Sequence, residues 1–242
     1  MQLLIDIGNT RTKYIYLHDL NRIAVSSVDN TELSYNSLES LFAQATDIVF
    51  ASVQQELAKL LIMWAREQKI NCLQVETQRN AFNVNCGYPK PEQLGIDRWL
   101  AIIGAATLYP QQNVLIVDSG TATTYDLLDN TGQHQGGWIV PGIELMRDSL
   151  NRQTSRINIS AQMPTDQSFG RDTQSNVNQG CWSLTYGGIA FAIDQARQLG
   201  MNLDKIVLTG GNAEVLLGFA NNDYLIEKQL VFVGLARFFN HS

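Results

Sequence analysis

The chain has few of the residues that would mark several common protein classes. Of 242 residues only three are cysteine, Cys72, Cys86 and Cys181, and they are far apart. An odd number with no C-x-x-C pair argues against a disulfide framework and a structural zinc site. Three buried thiols in a reducing compartment is the expectation. Basic charge is also scarce: 17 Lys and Arg stand against 23 Asp and Glu, a net charge of −6 with no basic cluster. A nucleic-acid partner is therefore not expected. No apolar run approaches the ~20 residues of a membrane span, and the first residues lack the basic and apolar regions of a signal peptide. A cytoplasmic protein without membrane contact is the expectation. The three histidines, His18, His134 and His241, form no ligand or relay spacing. There is no G-x-x-x-x-G-K-[ST] phosphate loop and no G-x-G-x-x-G dinucleotide fingerprint. Low-complexity segments are absent.

What is present is a doubling. Leu3-Leu4-Ile5-Asp6-Ile7-Gly8-Asn9-Thr10 runs on to Lys13, and Leu115-Ile116-Val117-Asp118-Ser119-Gly120-Thr121-Ala122 repeats its form 112 positions later (118 − 6). Each is an apolar strand, an Asp, one residue, a Gly and a hydroxyl or amide side chain, followed by a second apolar stretch. A glycine at a strand end lets backbone approach a phosphate, and successive N–H groups there can form an anion nest. The Asp cannot bind phosphate directly; it suits Mg²⁺, which takes carboxylates together with phosphate oxygens. Lys13 adds a positive point charge. A β-hairpin with an exposed lysine explains one copy, but two copies favour a duplicated site.

The patterning around these elements predicts an α/β chain. Strands are expected over 2–8, 13–18 and 47–51, with a further one over 21–28, and then from Cys72 to Val75. Leu57, Leu60, Leu61, Trp64 and Ala65 line one helix face. Residues 79–96 read as a loop. Asp97 to Leu108 reads as a helix apolar nearly all round, which predicts deep burial or a subunit interface. Further strands are expected at 113–118, 122–128, 135–140 and 205–208. A helix should follow Pro141-Gly142 to about Leu150, a long one should run from about Ser175 to Leu199, and a last one should hold Leu230, Leu235, Phe238 and Phe239. Residues 151–174 read as polar, irregular and mobile. The boundary near residue 110 divides the chain into 1–110 and 111–242, two similar halves facing across a cleft.

Three other elements carry chemistry. Thr209-Gly210-Gly211-Asn212 ends an apolar strand and suits close packing against a ring or phosphate. Gly95-Ile96-Asp97-Arg98 opens a helix. Asp97 is either a helix cap or a carboxylate that orients a substrate hydroxyl and accepts its proton. In phosphoryl transfer, positioning matters more than base strength. Arg98 is either a surface ion-pair partner or a bidentate clamp for a substrate carboxylate.

Taken in order, these motifs resemble those of the type III pantothenate kinases, within the acetate kinase–sugar kinase–Hsp70–actin superfamily. The resemblance spans essentially the whole chain. It rests on Asp6-Ile-Gly-Asn-Thr-x-x-Lys13, on Tyr88 with Gly95-Ile-Asp-Arg98, on Asp118-Ser-Gly-Thr-Ala-Thr-Thr-Tyr-Asp126 and on Gly136-Gly-Trp-Ile-Val-Pro-Gly142. Gly170-Arg-Asp-Thr173, Tyr186-Gly-Gly188 and Leu208-Thr-Gly-Gly211 complete it. It implies two ribonuclease H-like halves across a nucleotide-binding cleft. The implied activity is ATP-dependent phosphorylation of pantothenate at its terminal hydroxyl, the first step toward coenzyme A, with ATP carried as its Mg²⁺ complex. It implies Asp97 as proton acceptor, and Tyr88, Gly95, Ile96, Asp97, Arg98 and Thr173 around pantothenate. It implies Asp6, Ile7, Gly8, Asn9, Thr10, Arg11, Thr12, Lys13 and Thr121 at ATP, and Asp118 holding K⁺ or NH₄⁺. It also implies a homodimer, which would account for the apolar helix from Asp97. The alternatives are a kinase of the same fold for a sugar or small acid, and a non-catalytic regulator of transcription.

Overall fold

A computed structural model describes residues 1–153, 168–218 and 224–241. The chain forms two compact units, Met1–Leu108 with Gln229–Ser242, and Tyr109–Lys228.

In the first unit, β1 (Gln2–Ile7) pairs antiparallel with β2 (Arg11–Tyr16), and β2 with β3 (Ser26–Asp29). The helix α1 (Tyr35–Phe42) follows; Ser34 and Ser37 close a capping box at its start, satisfying backbone donors that the helix leaves unpaired. Then β4 (Asp47–Ser52) adds parallel to the other side of β1. The helix α2 (Gln55–Glu67) buries Leu61, Trp64 and Ala65 of the face expected from the sequence, and Ala58 besides; Leu57 and Leu60 of that face are half-buried. The edge strand β5 (Asn71–Gln74) pairs parallel with β4. The sheet order is β3-β2-β1-β4-β5. Leu3, Ile5, Phe42, Phe50 and Trp64 pack in one core between this sheet and its helices. The segment read as a loop over 79–96 contains a small hairpin, β6 (Asn80–Ala81) and β7 (Val84–Asn85), and leads into α3 (Ile96–Leu108).

The second unit repeats the plan. Its central strand β8 (Val114–Ser119) pairs antiparallel with β9 (Ala122–Leu128), which pairs with β10 (His134–Pro141). Then come α4 (Ile143–Gln153) and the 26-residue α5 (Thr173–Gln198). Parallel strands β11 (Lys205–Thr209) and β12 (Tyr224–Ile226), with α6 (Ala213–Gly218) between them, complete the order β10-β9-β8-β11-β12. Position for position this is the first sheet again, with the same pairing directions. Residues 151–153 and 173–174, expected to be irregular, are helical, and residues 154–167 lie outside the described residues.

The last helix, α7 (Leu230–Ala236), returns to the first unit, although the sequence places 111–242 together. It explains the apolar helix α3. A Cβ on Gly104 would meet the Leu230 carbonyl oxygen at 2.2 Å, and one on Gly234 would meet that of Leu100 at 2.0 Å. The two helices therefore run antiparallel with their backbones in contact, which only glycine permits. Trp99, Leu100, Ile102 and Ile103 are buried within the unit itself, so intramolecular packing, not a subunit interface, accounts for the greasy sequence of α3. Among the thiols, Cys86 and Cys181 are buried as expected, but Cys72 is only half-buried on the edge strand β5.

Candidate active site

The duplicated motif falls on equivalent strands. Asp6 and Asp118 are each the fifth of six residues in the central strand of their sheet, flanked by buried neighbours and themselves half-buried. Strand pairing sets Asp6 opposite Lys13 on β2, and Asp118 opposite Thr124 and Thr209.

After β1 the chain turns through Gly8, Asn9 and Thr10, closed by the Gly8 N–H donating to the Arg11 carbonyl (3.1 Å). Asn9 and Thr10 are exposed, and among the described residues no hydrogen bond engages their N–H groups. Lys13 and Arg11 are exposed, and Arg11 lies 3.9 Å from Asp29. Ile7 and Thr12 point inward: Ile7 belongs to the core, and the Thr12 hydroxyl donates to Asn30 Oδ1 (2.8 Å). Those two residues offer a ligand backbone rather than side chain. Desolvation pushes the Asp6 carboxyl up to about 6; Lys13 opposes this and the charge of Asp97 adds to it. Asp6 and Asp97, 91 positions apart (97 − 6), thus lie within electrostatic reach in one unit.

Asp97 is the second residue of α3, where the sequence left a choice between cap and functional carboxylate. It is exposed, and its Oδ1 accepts the N–H of Arg98 (2.8 Å), which fixes its direction. A Cβ at residue 95 would lie 2.6 Å from that oxygen, so the carboxylate is folded over Gly95. Arg98 is not on the surface: it is 5% exposed and donates from Nη1 to the Tyr88 hydroxyl (3.0 Å), with its guanidinium 5.7 Å from the Tyr88 ring centre. No motif marks Arg79, yet its guanidinium donates to the Tyr88 carbonyl (2.7 Å) and to that of Pro89, pinning the loop that carries Tyr88. Thr77 secures the other end of that loop through the Leu94 carbonyl (2.9 Å).

In the second unit, Gly120 and Thr121 form the turn after β8, with the Gly120 N–H donating to the Ala122 carbonyl (3.0 Å). Thr121 is exposed, and its carbonyl accepts the Gly142 N–H (3.1 Å). A Cβ on Gly142 would be 2.3 Å from the Gly120 oxygen; one on Gly210, whose φ is +86°, would be 2.4 Å from Asp118 Oδ1. Three glycine-bearing segments therefore meet around Asp118. Thr173 is the first residue of α5, exposed at a terminus that Asp172 caps through the Ser175 N–H (2.9 Å).

Among the described residues no three His, Cys, Asp or Glu side chains gather into a metal cage. Asp6 alone still suits Mg²⁺, which commonly keeps water and phosphate oxygens and takes only one or two carboxylates. Its desolvated carboxyl, already crowded by the charge of Asp97, gains from a cation.

Two α/β units of one topology, each with an Asp-and-glycine turn at its central strand, give the fold of the actin, Hsp70 and sugar kinase type. The chain superposes on a solved N-acetylmannosamine kinase candidate from Listeria monocytogenes with a TM-score of 0.52 at 14% identity, covering 99% of this chain and 98% of that one. A solved Campylobacter jejuni protein, proposed to be a Baf family transcriptional activator, gives a TM-score of 0.63 at 22% identity over 98% and 97%. Both likenesses concern the fold alone. The model of the type III pantothenate kinase family matches residues 2–195. A type III pantothenate kinase from Colwellia psychrerythraea is 42% identical over 217 residues, 89% of this chain and 87% of that protein. The chain belongs to the type III pantothenate kinases. Its activity is the ATP-dependent phosphorylation of pantothenate in coenzyme A biosynthesis.

Proposed function

We propose that Asp97 accepts the proton of the terminal hydroxyl of pantothenate as that oxygen attacks the γ-phosphorus of ATP, giving 4'-phosphopantothenate and ADP. The observation that carries this role is the carboxylate itself: exposed at the start of α3, aimed by the Arg98 N–H and placed within reach of Asp6. A positioned carboxylate suffices because the transition state is loose. Arg98 and Tyr88 receive pantothenate as one bonded pair, which brings a positive charge to the substrate carboxylate. Gly95, Ile96 and Thr173 complete the substrate set.

At ATP, the turn after β1 supplies the N–H groups of Asn9 and Thr10, and Lys13 and Arg11, exposed on β2, supply positive charge; Thr121, exposed on the turn after β8, is a further residue we assign to ATP. Asp6 would hold Mg²⁺, which neutralises charge on the phosphates as the bond to the leaving group breaks. Asp118 would help hold K⁺ or NH₄⁺, its carboxylate packed against Gly210 with no room for a side chain there. Two ribonuclease H-like halves, 1–110 and 111–242, remain our reading of the architecture, with α7 the exception.

A homodimer is part of this reading, and α3 no longer supports it. Its support is a face of the second unit: Leu184 and Phe191, seven residues apart on α5, are 70% and 57% exposed. Trp138 on β10 stacks on Phe191 at 5.4 Å and widens this face. Contiguous exposed apolar surface of this kind marks an interaction site. We place the protein in the cytoplasm, where ATP is made available; among the described residues no helix is long and apolar enough to cross a membrane.

ADP release coupled to a chromogenic reaction, measured with a panel of hydroxyl compounds and with K⁺, NH₄⁺ or Na⁺, tests the reading. Turnover that requires pantothenate and rises with K⁺ or NH₄⁺ is expected. A higher kcat/KM for another acceptor, or indifference to the cation, contradicts the respective part.

A further inference from the structure

The turn after β1 is held from one side by a residue that no motif marks. Asn30 opens a short 3-10 helix after β3, 20 or more residues from the turn it touches. Its Nδ2 donates to the carbonyls of Gly8 (2.9 Å) and Asn9 (3.2 Å), and its own N–H donates to the Thr10 carbonyl (2.9 Å). Its Oδ1 accepts the hydroxyl of the buried Thr12 (2.8 Å), which fixes the orientation of the amide. From the α2 side, Gln54 Nε2 donates to the same Asn9 carbonyl (3.2 Å).

The consequence is a sorting of the turn's polar groups. All three carbonyl oxygens, of Gly8, Asn9 and Thr10, are drawn to side-chain or backbone donors. The N–H groups of Asn9 and Thr10 keep no acceptor among the described residues. A turn whose oxygens are tied back and whose N–H groups are open presents donors to an anion without presenting competing negative dipoles. Preorganised donors of this kind cost no reorganisation when charge develops near them.

We infer that Asn30, assisted by Gln54, is a positioning residue that holds the Gly8–Thr10 turn with its N–H groups toward the phosphates of ATP. It touches neither substrate. The inference rests on the reading of this turn as the ATP site.

The test is steady-state kinetics of Asn30→Asp, with both substrates varied. The substitution keeps the size and the acceptor for Thr12 but replaces the Nδ2 donor with an oxygen that faces two carbonyls. Expected is a KM for ATP raised roughly tenfold, equivalent to about 1.4 kcal/mol, with the KM for pantothenate unchanged. An unchanged KM for ATP, or equal losses for both substrates that track a lowered melting temperature, overturns it. Gln54→Met serves if Asn30→Asp does not fold: a smaller rise confined to the KM for ATP supports the inference, and no change overturns it. Wild-type chain that releases no ADP in a pantothenate-dependent way refutes the kinase reading itself; active wild type with a variant indifferent in ATP refutes this inference alone.

Discussion

The carboxylate of Asp97 lies where a side chain on Gly95 would be: a Cβ there would stand 2.6 Å from Asp97 Oδ1. The glycine of Gly95-Ile96-Asp97 is therefore a steric requirement of the carboxylate, not of the backbone, since residue 95 is exposed and needs no left-handed conformation.

It follows that Gly95→Ala displaces the carboxylate of Asp97, the proton acceptor we propose, while leaving the fold intact. The methyl meets the movable end of a side chain, so melting temperature should change little. A displacement of about 1 Å near the chemistry can cost up to ~10²-fold; kcat should fall at least tenfold. Full kcat in a folded Gly95→Ala protein contradicts the placement.

Asp6 gives a pH signature. Burial raises its pKa to about 6, against the opposing Lys13. Because the folded value lies above the unfolded one, the group favours folding fully only when protonated; that contribution fades between about pH 4 and pH 6 and is gone above. Activity has the opposite sign if, as we propose, the Asp6 carboxylate holds the Mg²⁺ of ATP. The free-enzyme pKa governs kcat/KM, so kcat/KM for ATP should rise with pH through a midpoint near 6. An acid limb centred near 4 contradicts it.

The α3–α7 contact predicts a large stability effect away from the chemistry. Gly234→Ala would put a methyl 2.0 Å from the Leu100 carbonyl oxygen, a backbone atom that cannot step aside. Overpacking of this kind costs about 1–3 kcal/mol or more. In a chain of this size that lowers the melting temperature by roughly 2–12 °C, as differential scanning fluorimetry would record. An unchanged melting temperature contradicts the helix contact.

The exposed face of α5 predicts the assembly state. Phe191→Glu puts a charge in the middle of the apolar patch with Trp138. Light scattering should find a dimer for the wild type and a monomer for the variant. A monomeric wild type removes the homodimer, and a dimeric variant moves the interface elsewhere.

Much of this architecture was legible in the chain because alternation and repetition are local signals. Both copies of the Asp-and-glycine turn fell on equivalent strands, and α2 buried most of its expected face. The short elements escaped. The helix α1 buries only Leu38 and Phe42 and starts on a Ser-Ser capping box, and α6 and β12 are too brief to show a period. The apolar helix α3 was legible as buried, but not what covers it, because its partner is α7 at the far end of the chain. Arg98 was balanced between surface and site; its burial came from Tyr88 and a loop pinned by Arg79, a contact no spacing encodes. Asn30 was invisible for the same reason: a residue whose side-chain amide and backbone N–H together tie three carbonyls has no sequence signature until the chain brings them together.

The central claim is that Asp97 accepts the proton of the substrate hydroxyl. Pantothenate-dependent ADP release by Asp97→Asn tests it most directly, alongside a circular dichroism spectrum. With the fold unchanged, kcat should drop by about 10²–10⁴-fold, the usual range for a general base, with the KM for ATP little altered. A folded Asp97→Asn protein that turns over at the wild-type rate would contradict the account.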